Sequence, residues 1–364
     1  MRELFDFTVL EKPKTPHNLI IIGDFLKDLD DEHSLCGVAG LSKLGFVSLK
    51  CVIGNLAPAE LRARGAKGTL KMLGMDDVPV GIGTPVFEGK SYPYEAQIPY
   101  LADREEVISN GERLLVSELI DCPDKSVILV LQSGMTDAAK LLELYPTLFT
   151  KKIKTVAIMG GVETEGNSVK LMSDGHMTPN NANNNSFDMM SAIWLYNQLQ
   201  RLNIPTVITT REVAYAAQVP FSAYNEYEQT GNPVGVCLKN RQLPSMQHLW
   251  EAACSPAGDA IRGTLPDDRD RSWFIKVFCN GKDPGIEDGG NIWPYVGYFN
   301  LYDPANLYAA IPELRDHFLK PTVVRVRDTD QLVIGVSSIE HGVLDVKEFA
   351  KFMVDIELLG LLGK

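Results

Sequence analysis

Four aspartates within eight residues are the part of this sequence best equipped for chemistry. They are Asp24, Asp28, Asp30 and Asp31. An apolar run at residues 19–22 precedes them and predicts a buried parallel strand, and a helical pattern follows at residues 34–44. The carboxylates therefore belong to the loop beyond a strand's C-terminal end, where open α/β sheets bind ligands. Converging carboxylates repel one another unless protons or a cation neutralise them, which favours a hard cation, Ca²⁺ first.

A purely structural interpretation of the same segment is the alternative. Aspartate is favoured at a helix N-cap and in the first helical turn, because it accepts from free N–H groups and interacts well with the helix dipole. Capping accounts for one or two of the four residues. It does not readily account for Asp24, which stands at the strand end. We therefore favour a metal or catalytic site over capping alone.

The composition restricts the partners that we expect. The 364 residues carry a formal net charge of −12 and no run of Lys and Arg. We therefore do not expect nucleic acid or anionic membrane surfaces as partners. No apolar stretch of about 18 residues predicts a membrane span, and residues 1–6 do not resemble a signal peptide. The six cysteines lack metal-binding spacing, which favours reduced thiols in a cytoplasmic protein.

Strand-like and helix-like segments alternate through the first two hundred residues. Further strands are predicted at residues 46–53, 78–82, 126–131, 155–159 and 205–209, and helices at 59–73, 105–119, 136–144 and 189–200. This order predicts an α/β fold, in which one domain over residues 1–364 contains a doubly wound, mostly parallel open sheet flanked by helices.

The rest of the chain is predicted to cover and complete this sheet. Residues 221–300 are rich in Pro, Gly, Asn and charge, and we predict helices and long loops there that form a lid over the carboxyl edge. A hairpin is predicted at residues 322–326 and 332–336, and a terminal helix at 346–362.

Polar residues and glycines also follow the other predicted strands. Asn55 and Gln132 each follow a strand, and Gly160 with Gly161 follows another, where glycine lets the backbone approach a ligand closely. An asparagine-rich run at residues 180–188 suits a polyhydroxylated ligand such as a sugar, although Asx turns and a helix cap are an equally good explanation. Asp303 lies in an apolar helical pattern, where a lone aspartate is more often exposed than functional.

Taken together, these motifs resemble those of the inosine-uridine-preferring nucleoside hydrolase family. The aspartate cluster resembles the family's strand-loop motif that ends in Asp-Asp. The other similar motifs are Gly54-Asn55, the turn at residues 131–137, Met159-Gly160-Gly161, Asn184 with Asp188 four residues later, and Tyr302-Asp303-Pro304. Their order and spacing hold from about residue 18 to residue 350. The resemblance implies the nucleoside hydrolase fold, hydrolysis of a nucleoside or nucleoside-like small molecule, and a homodimer or homotetramer.

The resemblance also implies roles for individual residues. One Ca²⁺ lies at the bottom of the family's pocket, where it binds the ribose 2′- and 3′-hydroxyls and a water. The implied metal ligands are Asp24, Asp31, Asp303 and the backbone carbonyl of Gln132. The implied catalytic residues are Asp24 as proton acceptor, Asp30 at a ribose hydroxyl and Tyr302 near the leaving base. The implied substrate-binding residues are Asp28, Asn55, Met159, Asn183, Asn184 and Asp188.

Three positions depart from the family pattern. The usual loop is Asp-x-Asp-Pro-Gly-x-Asp-Asp, and a match without a gap places Leu26 at a ligand position. We prefer a loop two residues longer, because it places Asp24 there and keeps a carboxylate on the metal. Tyr302 stands in place of a histidine, and Ala182 in place of a glutamate for which Asn183 could compensate. The favoured hypothesis is a Ca²⁺-dependent ribohydrolase; the alternatives are a sugar-binding protein without turnover and an enzyme of specialised metabolism.

Overall fold

A computed structural model describes residues 2–27, 29–86, 97–263 and 265–363. Its strands are β1 (His17–Gly23), β2 (Val47–Gly54), β3 (Val80–Ile82), β4 (Val127–Leu131), β5 (Ile153–Met159), β6 (Thr164–Glu165), β7 (Ser168–Val169), β8 (Thr206–Thr209), β9 (Val219–Pro220), β10 (Tyr298–Phe299), β11 (Thr322–Val326) and β12 (Thr329–Ile334). Its helices are α1 (Asp30–Leu44), α2 (Ala59–Met72), α3 (Gly111–Asp121), α4 (Thr136–Leu144), α5 (Pro146–Lys152), α6 (Asn183–Ser186), α7 (Met189–Arg201), α8 (Arg211–Ala216), α9 (Ser222–Gln229), α10 (Pro233–Cys254), α11 (Arg271–Phe278), α12 (Tyr302–Ala310), α13 (Pro312–Phe318) and α14 (Val346–Leu361).

Eight of the strands form one sheet in the order β11-β12-β8-β5-β4-β1-β2-β3. The strands from β12 to β3 run parallel, and the edge strand β11 is antiparallel to β12. The chain builds β2 and β3 on one side of β1, and then β4, β5 and β8 on the other. The order therefore reverses between β1 and β4, where open α/β sheets bind ligands. The predicted doubly wound, mostly parallel fold is confirmed.

The apolar run in β1 is buried on both faces of this sheet. Leu19 and Ile21 pack in one core with residues of α1, α12 and α14, whereas Ile20 and Ile22 pack in a second core with residues of α3, α4, α5 and α7. Side chains alternate between the faces of a strand, so a strand covered on both sides needs consecutive apolar residues. This arrangement fixes the end of β1, from which the aspartate loop leaves.

Helix α1 is held against α14 by close backbone contact. A Cβ atom at Gly40 would overlap the carbonyl of Ile356, and one at Gly360 would overlap the carbonyl of Cys36. The two helices therefore approach more closely than larger side chains would allow. Because Asp30 is the first residue of α1, this packing also fixes the position of the first carboxylates.

Several elements differ in detail from the predictions. Helix α1 begins at Asp30, four residues before its predicted start. The helix predicted at 105–119 begins at Gly111, because Asn110 caps it by accepting from the backbone N–H of Arg113 at 2.9 Å. Strand β12 begins at Thr329, three residues before the prediction, and helix α5 was not predicted. None of the described helices is both long and apolar enough to cross a membrane.

Candidate functional site

A cavity of about 580 Å³ lies at the carboxyl edge of the sheet. Residues that follow β1, β4 and β5 line it, as do the first residues of α12. The sequence-predicted residues among its lining are Asp24, Asp30, Gln132, Met159, Asn183, Asn184, Tyr302 and Asp303. The segment predicted as a lid contributes part of the wall, through residues such as Leu265, Arg269 and Trp273.

Three carboxylates meet at this edge. Oxygen atoms of Asp30, Asp31 and Asp303 lie within 4.8 Å of one another. Two oxygens on opposite sides of one Ca²⁺ are about 4.6–5.2 Å apart, so these three carboxylates can share an ion of that size. The Asp31 Oδ1 atom is buried and has no hydrogen-bond partner among the described residues. Burial raises the pKa of Asp31 well above its ordinary value, and the nearby charges of Asp303 and Asp24 raise it further. This donor set fits a hard cation.

The local chain explains how the three carboxylates come together. Helix α1 begins at Asp30, its N-cap residue is Leu29, and no side chain caps it, so the described aspartates are not used as caps there. A side chain at position 23 would collide with Asp31, which explains the glycine at the end of β1. On the opposite side, Gln132 Nε2 donates to the backbone carbonyl of Asp303 at 2.7 Å. The end of β4 therefore holds the start of α12 in place.

Asp24 lines the cavity but does not belong to the three-carboxylate cluster. Its carboxylate is buried, and Lys27 Nζ lies 3.6 Å from its Oδ2 atom. Asp28, which the sequence predicted as a substrate contact, lies outside the described residues. The structure thus brings Asp30 into the cluster together with the predicted ligands Asp31 and Asp303.

The loop that carries Asp24 has an unusual backbone. Leu26 has a φ of 71°, in the left-handed region that side chains other than glycine rarely adopt. Its N–H donates to Glu32 Oε1 at 2.8 Å, and its carbonyl accepts from Arg241 Nη2 at 2.9 Å. The Leu26 side chain is fully buried beside Gly65. Leu26 is thus part of the core, while Asp24 faces the cavity.

Asn184 connects two of the strand ends. Its Nδ2 atom donates to the backbone carbonyls of Gln132 at 3.0 Å and Met159 at 3.1 Å. A carbonyl oxygen has two lone pairs, so this contact leaves the Gln132 carbonyl able to bind a cation as well. Asn183 is exposed and, like Ala182, lines the cavity.

Asn55 and Asp188 are outside the lining of this cavity. Asn55 Nδ2 donates to the Gly134 carbonyl at 3.1 Å and to Asp137 Oδ2 at 3.0 Å. Asp188 caps α7 by accepting from the backbone N–H of Ser191. Both side chains therefore hold neighbouring loops. Their predicted contacts with a sugar stay predictions.

Tyr302 lines the cavity beside Asp303. Burial raises the pKa of Tyr302 well above its ordinary value, and nearby Tyr215 raises it further. Its hydroxyl accepts from Asn300 Nδ2 at 3.3 Å, and its ring lies edge-on to Tyr215 with 6.1 Å between the centroids. Tyr302 therefore stays protonated near neutral pH, as a hydrogen-bond donor but a weak acid.

A buried polar network behind the cavity was not predicted. His33 Nδ1 lies 2.7 Å from Glu357 Oε2, and His33 Nε2 lies 3.0 Å from the Tyr224 hydroxyl. His33 and Tyr224 also line the cavity. Glu357 is 324 residues from His33 in sequence, so no local spacing could have indicated the contact.

The chain is similar to several solved structures. It matches the type III effector protein XopQ, solved in complex with adenosine diphosphate ribose, at 28% identity over 96% of this chain and 95% of that one, with a TM-score of 0.79. A purine-preferring ribonucleoside hydrolase from Gardnerella vaginalis matches at 16% identity over 95% and 100% of the two chains, with a TM-score of 0.58.

An inosine-uridine-preferring nucleoside hydrolase from Bacillus anthracis matches at 14% identity over 94% of this chain and 99% of that one, with a TM-score of 0.55. No family model and no curated protein sequence matches the chain. At these identities the two hydrolases show a shared fold, and the resemblance predicted from the sequence is confirmed at that level.

Proposed function

Because the chain has the nucleoside hydrolase fold in a divergent form, we propose that it hydrolyses the N-glycosidic bond of a ribonucleoside or a nucleoside-like compound. The observation that carries the proposal is the cluster of Asp30, Asp31 and Asp303, of which Asp30 and Asp303 line a nucleoside-sized cavity and Asp31 lies buried beside them. The effector similar to this chain was solved with adenosine diphosphate ribose, which supports a ribose-containing ligand here.

The donor set supports Ca²⁺ as the cofactor. We propose that Asp30, Asp31 and Asp303 hold the ion and that the backbone carbonyl of Gln132 adds a further oxygen. Oxygen donors of this kind suit Ca²⁺, and the unpartnered Oδ1 of Asp31 is an acceptor that needs a cation or a proton. When bound, Ca²⁺ would orient the ribose diol and lower the pKa of a water molecule.

The other side chains of the cavity then have distinct roles in catalysis. Cleavage of an N-glycosidic bond passes through an oxocarbenium-like sugar, so carboxylates beside the ring stabilise the developing positive charge. Asp24, a buried carboxylate on the cavity wall, accepts the proton of the attacking water. Asn184, fixed by two backbone carbonyls, positions the sugar. Tyr302 donates a hydrogen bond to the departing base.

A second candidate function is ribose-ligand binding without turnover. The observation in its favour is that a tyrosine, Tyr302, lines the cavity beside Asp303. A phenol is a weak acid near neutral pH, and burial raises the pKa of Tyr302 further, so it is a poor proton donor for a leaving base. In this case the same cavity retains the ligand intact.

The two candidates are separated by following base release and ligand binding together. Inosine, adenosine, uridine and cytidine are incubated with the protein in calcium or in chelator, and free base is measured by chromatography. Calcium-dependent release that chelator abolishes supports the hydrolase. Binding of a nucleoside in calorimetry without release of base supports the second candidate. The absence of both release and binding would contradict both candidates.

A further inference from the structure

Arg269 is a buried cation in the cavity wall. The residue is only 9% exposed, and it precedes α11 in the segment predicted as a lid. A guanidinium keeps its charge at all ordinary pH values, so its burial is costly unless an anion compensates it. The partners of Arg269 therefore indicate what the cavity is built to receive.

Within the described part of the chain, those partners leave most of the charge uncompensated. Nη1 donates to the Tyr215 hydroxyl at 2.8 Å, and the guanidinium lies 5.0 Å from the ring centroid of Trp273. The paired carboxylate is Asp268, 3.9 Å from Nε, whose side chain is 75% exposed. An exposed pair of this length is screened by solvent and contributes little. A guanidinium has five N–H donors, and the contacts described use one of them in a hydrogen bond.

A second unpartnered donor lies beside this guanidinium. The Trp273 Nε1 atom is buried and has no hydrogen-bond partner among the residues that the structure describes. Trp273 lines the cavity together with Arg269 and Tyr215. A cluster of donors around one cation, without matching acceptors, suits the oxygen atoms of a phosphate group.

The position of this cluster indicates how the phosphate is attached. Tyr302 is the neighbour of Asp303 in the carboxylate cluster, its ring packs against Tyr215 at 6.1 Å, and Tyr215 in turn contacts Arg269. Two aromatic rings therefore separate the guanidinium from the carboxylates. An anion at Arg269 must extend from the sugar on an arm.

We propose that Arg269, with Tyr215 and Trp273, binds the diphosphate arm of a ribosyl substrate. This inference rests on the proposed function, because it takes the carboxylate cluster as the ribose site. It narrows the substrate from free nucleosides to N-ribosides that carry a diphosphate. Arg269 is then a specificity-determining residue that discriminates by charge.

The test compares ADP-ribose with adenosine in calcium, by isothermal titration calorimetry where chromatography shows that the ligand stays intact and by kcat/KM of base release where the ligand is cleaved. The variants are Arg269→Met, Arg269→Lys and, as a matched control, Arg271→Met. Arg271 belongs to the same segment, pairs with Asp283 at 2.7 Å and stacks on Trp250 at 5.4 Å, but does not line the cavity.

Removal of a charge-assisted hydrogen bond predicts that Arg269→Met weakens ADP-ribose binding about 10- to 100-fold and leaves adenosine within about 2-fold. Arg269→Lys should restore part of the affinity, and Arg271→Met should change neither ligand. An equal loss of affinity for both ligands would assign Arg269 to lid packing and overturn the inference. A wild-type protein that binds ADP-ribose no better than adenosine would also overturn it. Binding and cleavage are measured separately, so the two proposals can fail independently. A protein that prefers ADP-ribose but cleaves no nucleoside would refute the proposed hydrolysis and leave this inference intact.

Discussion

Replacing Asp31 by asparagine is expected to stabilise the calcium-free protein and to remove most of the stabilisation that calcium gives. Carboxylate oxygens 4.8 Å apart repel by about 3 kcal/mol at an effective dielectric constant of about 20. Asparagine removes this repulsion from Asp30 and Asp303, and it has almost the same volume. Since the wild-type site relieves part of the repulsion by retaining a proton, we expect a gain of about 1 to 3 kcal/mol in calcium-free protein.

Bound calcium should stabilise the wild-type protein much more than the variant. An ion that binds only the folded state at about 100 times its Kd stabilises it by about 2.7 kcal/mol. Without the Asp31 carboxylate the variant should lose nearly all of this gain. Thermal unfolding in chelator should therefore show the variant melting about 1 to 4 °C above wild type. Unfolding in calcium should show that the wild type gains far more than the variant.

The same carboxylate predicts a pH dependence in calcium-free protein. Burial raises the folded-state pKa of Asp31 above its unfolded value of about 4, so between these two values the folded protein holds more protons than the unfolded chain. The free energy of unfolding should consequently fall as the pH rises through this interval, and less steeply in Asp31→Asn. The matched control is Asp268→Asn, an exposed carboxylate on the same cavity. If the variant melts below wild type in chelator, or keeps the full calcium shift, then Asp31 is neither a source of repulsion nor a calcium ligand.

Three further substitutions test the rest of the site and its support. Asp24→Asn should lower kcat about 100-fold in a base-release assay while nucleoside binding persists, because a positioned proton acceptor contributes on that scale. Tyr302→Phe should slow release of hypoxanthine from inosine and spare an activated aryl riboside, whose leaving group needs no proton; equal kcat/KM losses would assign Tyr302 to packing. Gly360→Ala should destabilise the protein by about 1 to 3 kcal/mol in denaturant unfolding, because its Cβ would overlap the Cys36 carbonyl, whereas Gly363→Ala, with open space around it, should not.

Most of the fold and much of the site were predictable because they depend on short patterns. The periodicity at residues 136–144 gave helix α4 with the bounds that the structure has, and the apolar runs gave the parallel strands. A parallel sheet brings all its strand ends to one edge, so Asp30, Gln132 and Met159 could be predicted to meet without any knowledge of their contacts.

The remaining features depend on contacts that local patterns do not encode. The partnership of His33 with Glu357 joins helices at the two ends of the chain. Arg269 lies in an irregular segment, where no periodicity indicates which side chains turn inward. The left-handed backbone of Leu26 depends on Glu32 and Arg241, and the latter is 215 residues away.

We propose that the carboxylate cluster is a calcium site at which an N-glycosidic bond is cleaved. The most direct test is a calcium titration of wild-type protein in which free-base release and the thermal unfolding midpoint are followed on the same samples. Both quantities should rise together with one calcium midpoint, and Asp303→Asn should lose both responses. Release of base that does not depend on calcium, or a thermal shift without release from any riboside offered, would contradict it.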